Sequence, residues 1–189
     1  QGRDAEAVLQ GLCANDVAVA PGRMVYTAML NPRGGYETDL TVTRLAADRF
    51  LLVTGSAQTV RDADWIRRGI GPEANAVLTD VGSAYAVLAV MGPRARDLLA
   101  RVSKADFGNE AFPFATLRAI DLGYAMILAG RITYVGELGW ELYVPTEFAV
   151  AVYETLFEAG GEFGLRDAGY YALESLRLDE AVRKVTNEN

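Results

Sequence analysis

The stretch Asn31-Pro-Arg-Gly-Gly-Tyr-Glu-Thr-Asp39, running on into Leu40-Thr-Val-Thr43, limits what this chain can fold into more than any other. Pro32, Gly34 and Gly35 are turn formers, and Leu40-Thr-Val-Thr43 alternates apolar and polar side chains with a strand's period of two. Met24-Val-Tyr-Thr-Ala-Met-Leu30 supplies a partner ahead of the turn, so the spacing predicts a hairpin of 24–30 with 38–45. Alternation puts Asp39, Thr41 and Thr43 on one face and Leu40 and Val42 on the other. A carboxylate then stands at a strand mouth, beside glycines that let a ligand approach the backbone. A solvated turn carboxylate satisfies the same pattern.

A second stretch, Ile132-Thr-Tyr-Val-Gly-Glu-Leu-Gly-Trp-Glu-Leu-Tyr-Val-Pro145, combines a glycine turn with a strand. Trp140 and Leu142 share the face expected to look into a core; Glu141 and Tyr143 share the other. A carboxylate beside a Trp and a glycine turn is placed to accept two parallel N–H bonds from a flat heterocycle, as carboxylates do from Arg. A solvent-facing Glu and Tyr fit equally well.

Composition removes several kinds of chemistry. The 189 residues contain no histidine, which excludes Ser-His-Asp and Cys-His nucleophile systems and the usual zinc ligand sets, and no metal site is expected. A net charge of −7 with no basic stripe argues against a nucleic-acid surface. A single cysteine, Cys13, forms no internal disulfide and is placed on a helix face with Val8, Leu9 and Leu12 as a reduced, buried filler. Without a secretory signal or a long apolar run, the chain is expected in a reducing compartment, away from membranes: the cytoplasm, or the mitochondrial matrix in a eukaryote.

Four segments together resemble the folate-binding aminomethyltransferase family of the glycine-cleavage T-protein, above all the C-terminal tetrahydrofolate domain of dimethylglycine and sarcosine dehydrogenases. They are the Gly34-Gly35…Asp39 hairpin, Val90-Met-Gly-Pro-Arg-Ala-Arg-Asp97, Thr133-Tyr-Val-Gly-Glu-Leu-Gly-Trp-Glu141 and Ala168-Gly-Tyr-Tyr-Ala-Leu-Glu-Ser-Leu-Arg-Leu178. Their order and spacing run along nearly the whole chain. Where T-proteins usually carry an Arg that helps hold folate, this chain has Leu173. The resemblance also implies that residues 1–189 are a central piece of a longer folate domain, without the family's C-terminal β-barrel.

Periodicity fills in the remainder. Helices are expected from Asp4, as a cap, to about Asn15; over 58–70; after Pro93; over 147–159; and from Asp167, again as a cap, to about Lys184. Further strands are expected at 50–53, 76–78, 85–91, 117–122, 124–129 and 140–144. Antiparallel hairpins with helices laid on them give an α+β class, in two closely packed lobes whose best boundary is the looser stretch 103–113. Gly69-Ile-Gly-Pro-Glu-Ala74 mimics a dinucleotide fingerprint but follows a helix and carries Pro72, so any FAD belongs to a flavin domain outside this chain.

Residue by residue, the resemblance implies that Asp39 matches the family's catalytic carboxylate near the folate N5 and N10 nitrogens. Glu141 matches its pterin-anchoring Glu, with Glu137 as runner-up. Tyr26 falls where the family sets an aromatic against the folate, and a cross-strand packing role competes with that. Thr41 and Tyr143 share the faces of Asp39 and Glu141 and are candidate lining residues, with ordinary strand surface as the alternative. Asp39 and Glu141 are accordingly expected to line one cavity. The implied reaction is capture of a one-carbon unit from an N-methyl amine as 5,10-methylenetetrahydrofolate. The alternatives are aminomethyl transfer from a lipoyl carrier protein, and a folate-binding regulatory protein without turnover.

Overall fold

The structure, a computed structural model, describes residues 1–187. Two compact units emerge, residues 1–81 with Ala115–Leu117, and 82–114 with the remainder.

In the first unit the expected hairpin is β1 (Met24–Leu30) with β2 (Tyr36–Ala46), and β3 (Arg49–Thr54) pairs antiparallel on the far side of β2. The turn closes because Gly34 adopts φ 77°, a conformation costly for any residue with a Cβ. Asn31 Oδ1 then accepts the backbone N–H groups of Arg33 and Gly35 at 3.0 and 2.9 Å. The inner face of β2 carries Leu40 and Val42, each 1 % exposed, over Met29 at 0 %. Helices α1 (Ala5–Leu12) and α2 (Thr59–Gly69) cover that face with Leu9 and Ile66. Each such side chain contributes roughly 1.5–3 kcal/mol on burial.

In the second unit four strands lie in the order β4 (Tyr85–Met91), β7 (Gly139–Pro145), β6 (Ala125–Gly130), β5 (Leu117–Leu122). The central β7 turns Trp140, Leu142 and Val144 into the core, all at 0 % exposure, against α3 (Ala95–Val102) and α4 (Ala149–Gly160). Gly139 stands opposite Met91 on β4, where an added Cβ would lie 2.8 Å from the Met91 side chain. The glycine is thus a packing requirement as well as a turn end. A last helix, α5, spans Tyr170–Asn187. Among the described residues no helix is long and apolar enough to cross a membrane, and no cluster of His, Cys, Asp or Glu is placed to hold a metal.

The α+β class and most elements stand as the sequence predicts. Some details differ. The chain passes between the units at Val81/Gly82, Phe114/Ala115 and Leu117/Arg118, and within 103–113 Phe107 and Phe112 bury themselves beside Trp140 at ring distances of 5.4 and 6.1 Å. That stretch is core. No strand forms at 76–78: Val77 exchanges two 2.8 Å hydrogen bonds with Gln1, too short a ladder to extend. Neither expected aspartate cap forms. The Asp4 carboxylate accepts the Asn75 N–H at 2.7 Å, and the Asp167 carboxylate accepts the Tyr153 hydroxyl. Both found distant partners in preference to their own helix ends.

Cys13 lies one residue past α1, which ends at Leu12, and it bridges to Met29. Burial pushes its thiol up to about 11 from an ordinary value of 9.0, so it stays protonated near neutral pH. Because this pKa is raised, the stabilisation from the buried neutral thiol is intact below 9 and is lost as pH climbs through about 11. At neutral pH a thiol reagent is expected to leave the native chain unlabelled and to label it in full once denaturant is added. Rapid native labelling would show that this site opens.

Candidate functional site

The outer face of the first sheet carries Met24, Tyr26, Ala28 and Leu30 of β1 opposite Thr43, Thr41, Asp39 and Tyr36 of β2. It is closed at one end and open at the other. Met24, Thr41 and Thr43 are buried, whereas Tyr26 is 63 % and Tyr36 61 % exposed, with Asp39 exposed between them. The Tyr26 hydroxyl donates to Asp39 Oδ2 at 2.5 Å. That bond, with partial desolvation and the Asp39 charge, drives the Tyr26 pKa well above the usual phenol range. Tyr26 therefore remains a neutral donor that holds Asp39 from one side. Thr41 sits on the expected face but is 9 % exposed, so little of it is offered to a ligand.

On β7, Glu141 is half-buried and Tyr143 is 3 % exposed. The Tyr143 hydroxyl donates to Glu141 Oε2 at 2.7 Å. Burial first, then the Glu141 charge and this hydrogen bond, raise the Tyr143 pKa far above normal. Tyr143 thus belongs to the packed part of the outer face and acts on Glu141 rather than lining open surface. Among the described residues Tyr143 is the one partner hydrogen-bonded to the Glu141 carboxylate, which keeps Oε1 and a lone pair on Oε2 for a ligand.

The turn preceding β7 borders a cleft of about 170 Å³, with Phe114, Arg131, Thr133 and Glu137 in its walls. Arg131 donates to Phe112 O and Asn109 Oδ1 at 2.7 and 2.9 Å and lies 5.6 Å from the Trp140 ring centroid. Desolvation, then repulsion from Arg96, lowers its pKa. Thr133 Oγ1 is buried without a partner among the described residues. Glu137, the alternative to Glu141, belongs to this turn. A larger, wide-open hollow of about 600 Å³ lies along 56–67, where Arg61 pairs with Glu37 and Asp64 with Arg68, and neither Asp39 nor Glu141 lines it.

Sequence reasoning missed Tyr36 and Arg131. Arg131 sits one residue ahead of the quoted motif, where a search extended toward the turn would reach it. Tyr36 left no such trace, since plain alternation sends it to the opposite face.

Asp39 belongs to the first unit and Glu141 to the second. Compared with known proteins, residues 1–189 match the GCVT N-terminal domain. The chain is 42 % identical over 189 residues to 4-methylaminobutanoate oxidase (formaldehyde-forming) of Paenarthrobacter nicotinovorans, covering 99 % of this chain and 23 % of that protein. It is 38 % identical over 180 residues to the mitochondrial pyruvate dehydrogenase phosphatase regulatory subunit of Mus musculus, covering 95 % and 20 %. It is also 38 % identical over 196 residues to mitochondrial sarcosine dehydrogenase of Mus musculus, covering 96 % and 21 %. The chain thus spans about a fifth of the length of these relatives. The crystal structure of glycine cleavage system aminomethyltransferase T from Bartonella henselae superposes with a TM-score of 0.79 at 28 % identity, over 94 % of this chain and 46 % of that one.

Proposed function

The chain belongs to the GCVT N-terminal domain family, and from that premise we propose that it is a tetrahydrofolate-dependent one-carbon transfer domain of the dimethylglycine and sarcosine dehydrogenase type. One observation carries the reading. Each carboxylate that the family pattern singles out is held by a tyrosine hydroxyl, Asp39 by Tyr26 and Glu141 by Tyr143, with acceptor capacity left for a ligand. That is how a site looks when a carboxylate must point at something.

The donor set suits a reduced folate. A pterin presents an exocyclic amino group and a ring N–H side by side, and Glu141 offers the matching pair of oxygens. Tyr143 sets the direction of that pair. On the first sheet, Tyr26 and Thr41 border the Asp39 carboxylate. Tetrahydrofolate, when bound, supplies the two nitrogens that take up the one-carbon unit. Asp39 stabilises the cationic one-carbon donor and accepts the proton released as the new C–N bond forms, work worth about 10²–10⁴-fold. With no histidine in the chain, no imidazole shares this task.

The one-carbon unit is assigned to an N-methyl amine oxidised to an iminium by a flavin domain elsewhere in the full-length protein. The relatives named as oxidase and sarcosine dehydrogenase favour that source. The matching aminomethyltransferase structure favours a second reading, aminomethyl transfer from a lipoyl carrier protein with release of ammonia. The relative named as a regulatory subunit favours a third, folate binding without turnover. The mouse relatives are named as mitochondrial, so the matrix is the compartment proposed for a eukaryotic source and the cytoplasm for a bacterial one.

Replacing Glu141 with Ala is expected to weaken tetrahydrofolate binding by about 1.5–3 kcal/mol, the scale of a hydrogen bond to a charged group. Titration calorimetry on the intact and altered proteins measures it. Equal affinities would remove Glu141 from the site.

A further inference from the structure

The pairing of β1 with β2 runs Ala28↔Asp39, Met29↔Thr38 and then Leu30↔Tyr36. Glu37 is therefore an extra residue on β2, a β-bulge beside the turn. Without it, Tyr36 would fall on the core face with Thr38 and Leu40. With it, Tyr36 joins Tyr26 and Asp39 on the open face.

The bulge is firmly held. One Glu37 oxygen accepts Asn31 Nδ2 at 2.9 Å and the other accepts the Arg61 guanidinium of α2 at 2.8 Å. Those two donors, Asn31 first, keep the Glu37 carboxyl below its usual range. Core packing does not account for Tyr36, whose side chain stands 61 % exposed. Its phenol interacts with Asp39 and Tyr26. Desolvation, followed by the Asp39 charge and hydrogen bond, raises its pKa, so it too stays a neutral donor.

We propose that Tyr36 is a positioning residue for Asp39, delivered by the Glu37 bulge, and that with Tyr26 it frames the carboxylate from two sides. An aspartate on an open strand face samples several staggered rotamers, and donors from two sides single out one. This rests on the reading of Asp39 given above. No atom of Tyr36 enters the chemistry; its hydroxyl fixes where the carboxylate points.

The test uses the full-length protein, with tetrahydrofolate and an N-methyl amine. Tyr36→Phe keeps the ring and removes the hydroxyl. Its kcat for methylenetetrahydrofolate formation is expected to fall about tenfold, the size of one hydrogen bond to a charged group, with KM for tetrahydrofolate and the rate of amine oxidation unchanged. The same change made in an Asp39→Asn background is expected to add nothing further, because the group it positions has lost its charge. A Tyr36→Phe variant at the intact rate, alongside a slow Asp39→Asn variant, would overturn the role of Tyr36 and leave that of Asp39 standing. A tenfold loss in both backgrounds would make Tyr36 independent of Asp39 and overturn it equally. An Asp39→Asn variant at the intact rate would instead remove the reading of the site on which the inference depends.

Discussion

Asp39→Asn in the full-length protein is expected to leave tetrahydrofolate affinity near normal and to cut methylenetetrahydrofolate formation by at least ~10²-fold, the lower end for loss of a general base. Asn keeps the shape of the side chain and an oxygen for the Tyr26 hydroxyl, now at 2.5 Å from Asp39, but has no charge and no basicity. No histidine is present to take over. Amine oxidation at the flavin is expected to continue, now releasing formaldehyde. Single-turnover formation of the folate product reads the chemical step apart from binding and release. Product formation at the intact rate would make Asp39 a turn residue and nothing more.

The largest expected effect on stability lies in the second unit. Trp140 is 0 % exposed and packs edge-on against both Phe107 and Phe112. Trp140→Ala removes the ring around which the 103–114 segment folds, and a loss of about 3–5 kcal/mol is expected for deleting a buried aromatic of this size. Trp140→Phe is expected to cost much less. It leaves a smaller void, and it also deletes the indole N–H, which is buried without a partner among the described residues. Urea unfolding of the two variants checks the order. A Trp140→Ala variant within about 1 kcal/mol of the intact protein, outside the range for a filled core position, would show that the aromatic cluster does not hold this unit together.

Much of this arrangement was legible in the sequence, because burial on one side of a strand imposes alternation. Leu40 and Val42 had to face inward, and so did Trp140 and Leu142; Asp39 and Glu141 followed onto the outer faces. The Gly34 turn was readable because a positive φ there admits few other residues. The misplaced details share a physical cause, a partner far away in sequence. Asp4 bonds the backbone of Asn75 and Asp167 the hydroxyl of Tyr153, so neither caps the helix it precedes. Phe107 and Phe112 lie in a stretch without periodicity, and what buries them is Trp140. The Glu37 bulge appears only once β1 and β2 are set in register, which is why Tyr36 went unnoticed as a neighbour of Asp39.

The relatives sharpen what remains to be measured, since one of them is named as formaldehyde-forming and another as a regulatory subunit. The full-length protein would be given tetrahydrofolate and an amine carrying a carbon-13 N-methyl group, with a formaldehyde scavenger in excess, and the product read by carbon NMR. If the domain captures the one-carbon unit as proposed, the label appears in the methylene carbon of 5,10-methylenetetrahydrofolate despite the scavenger, and Asp39→Asn diverts it to the scavenger adduct. Label found only in the adduct of the intact protein, at every tetrahydrofolate concentration, would contradict one-carbon capture by this domain.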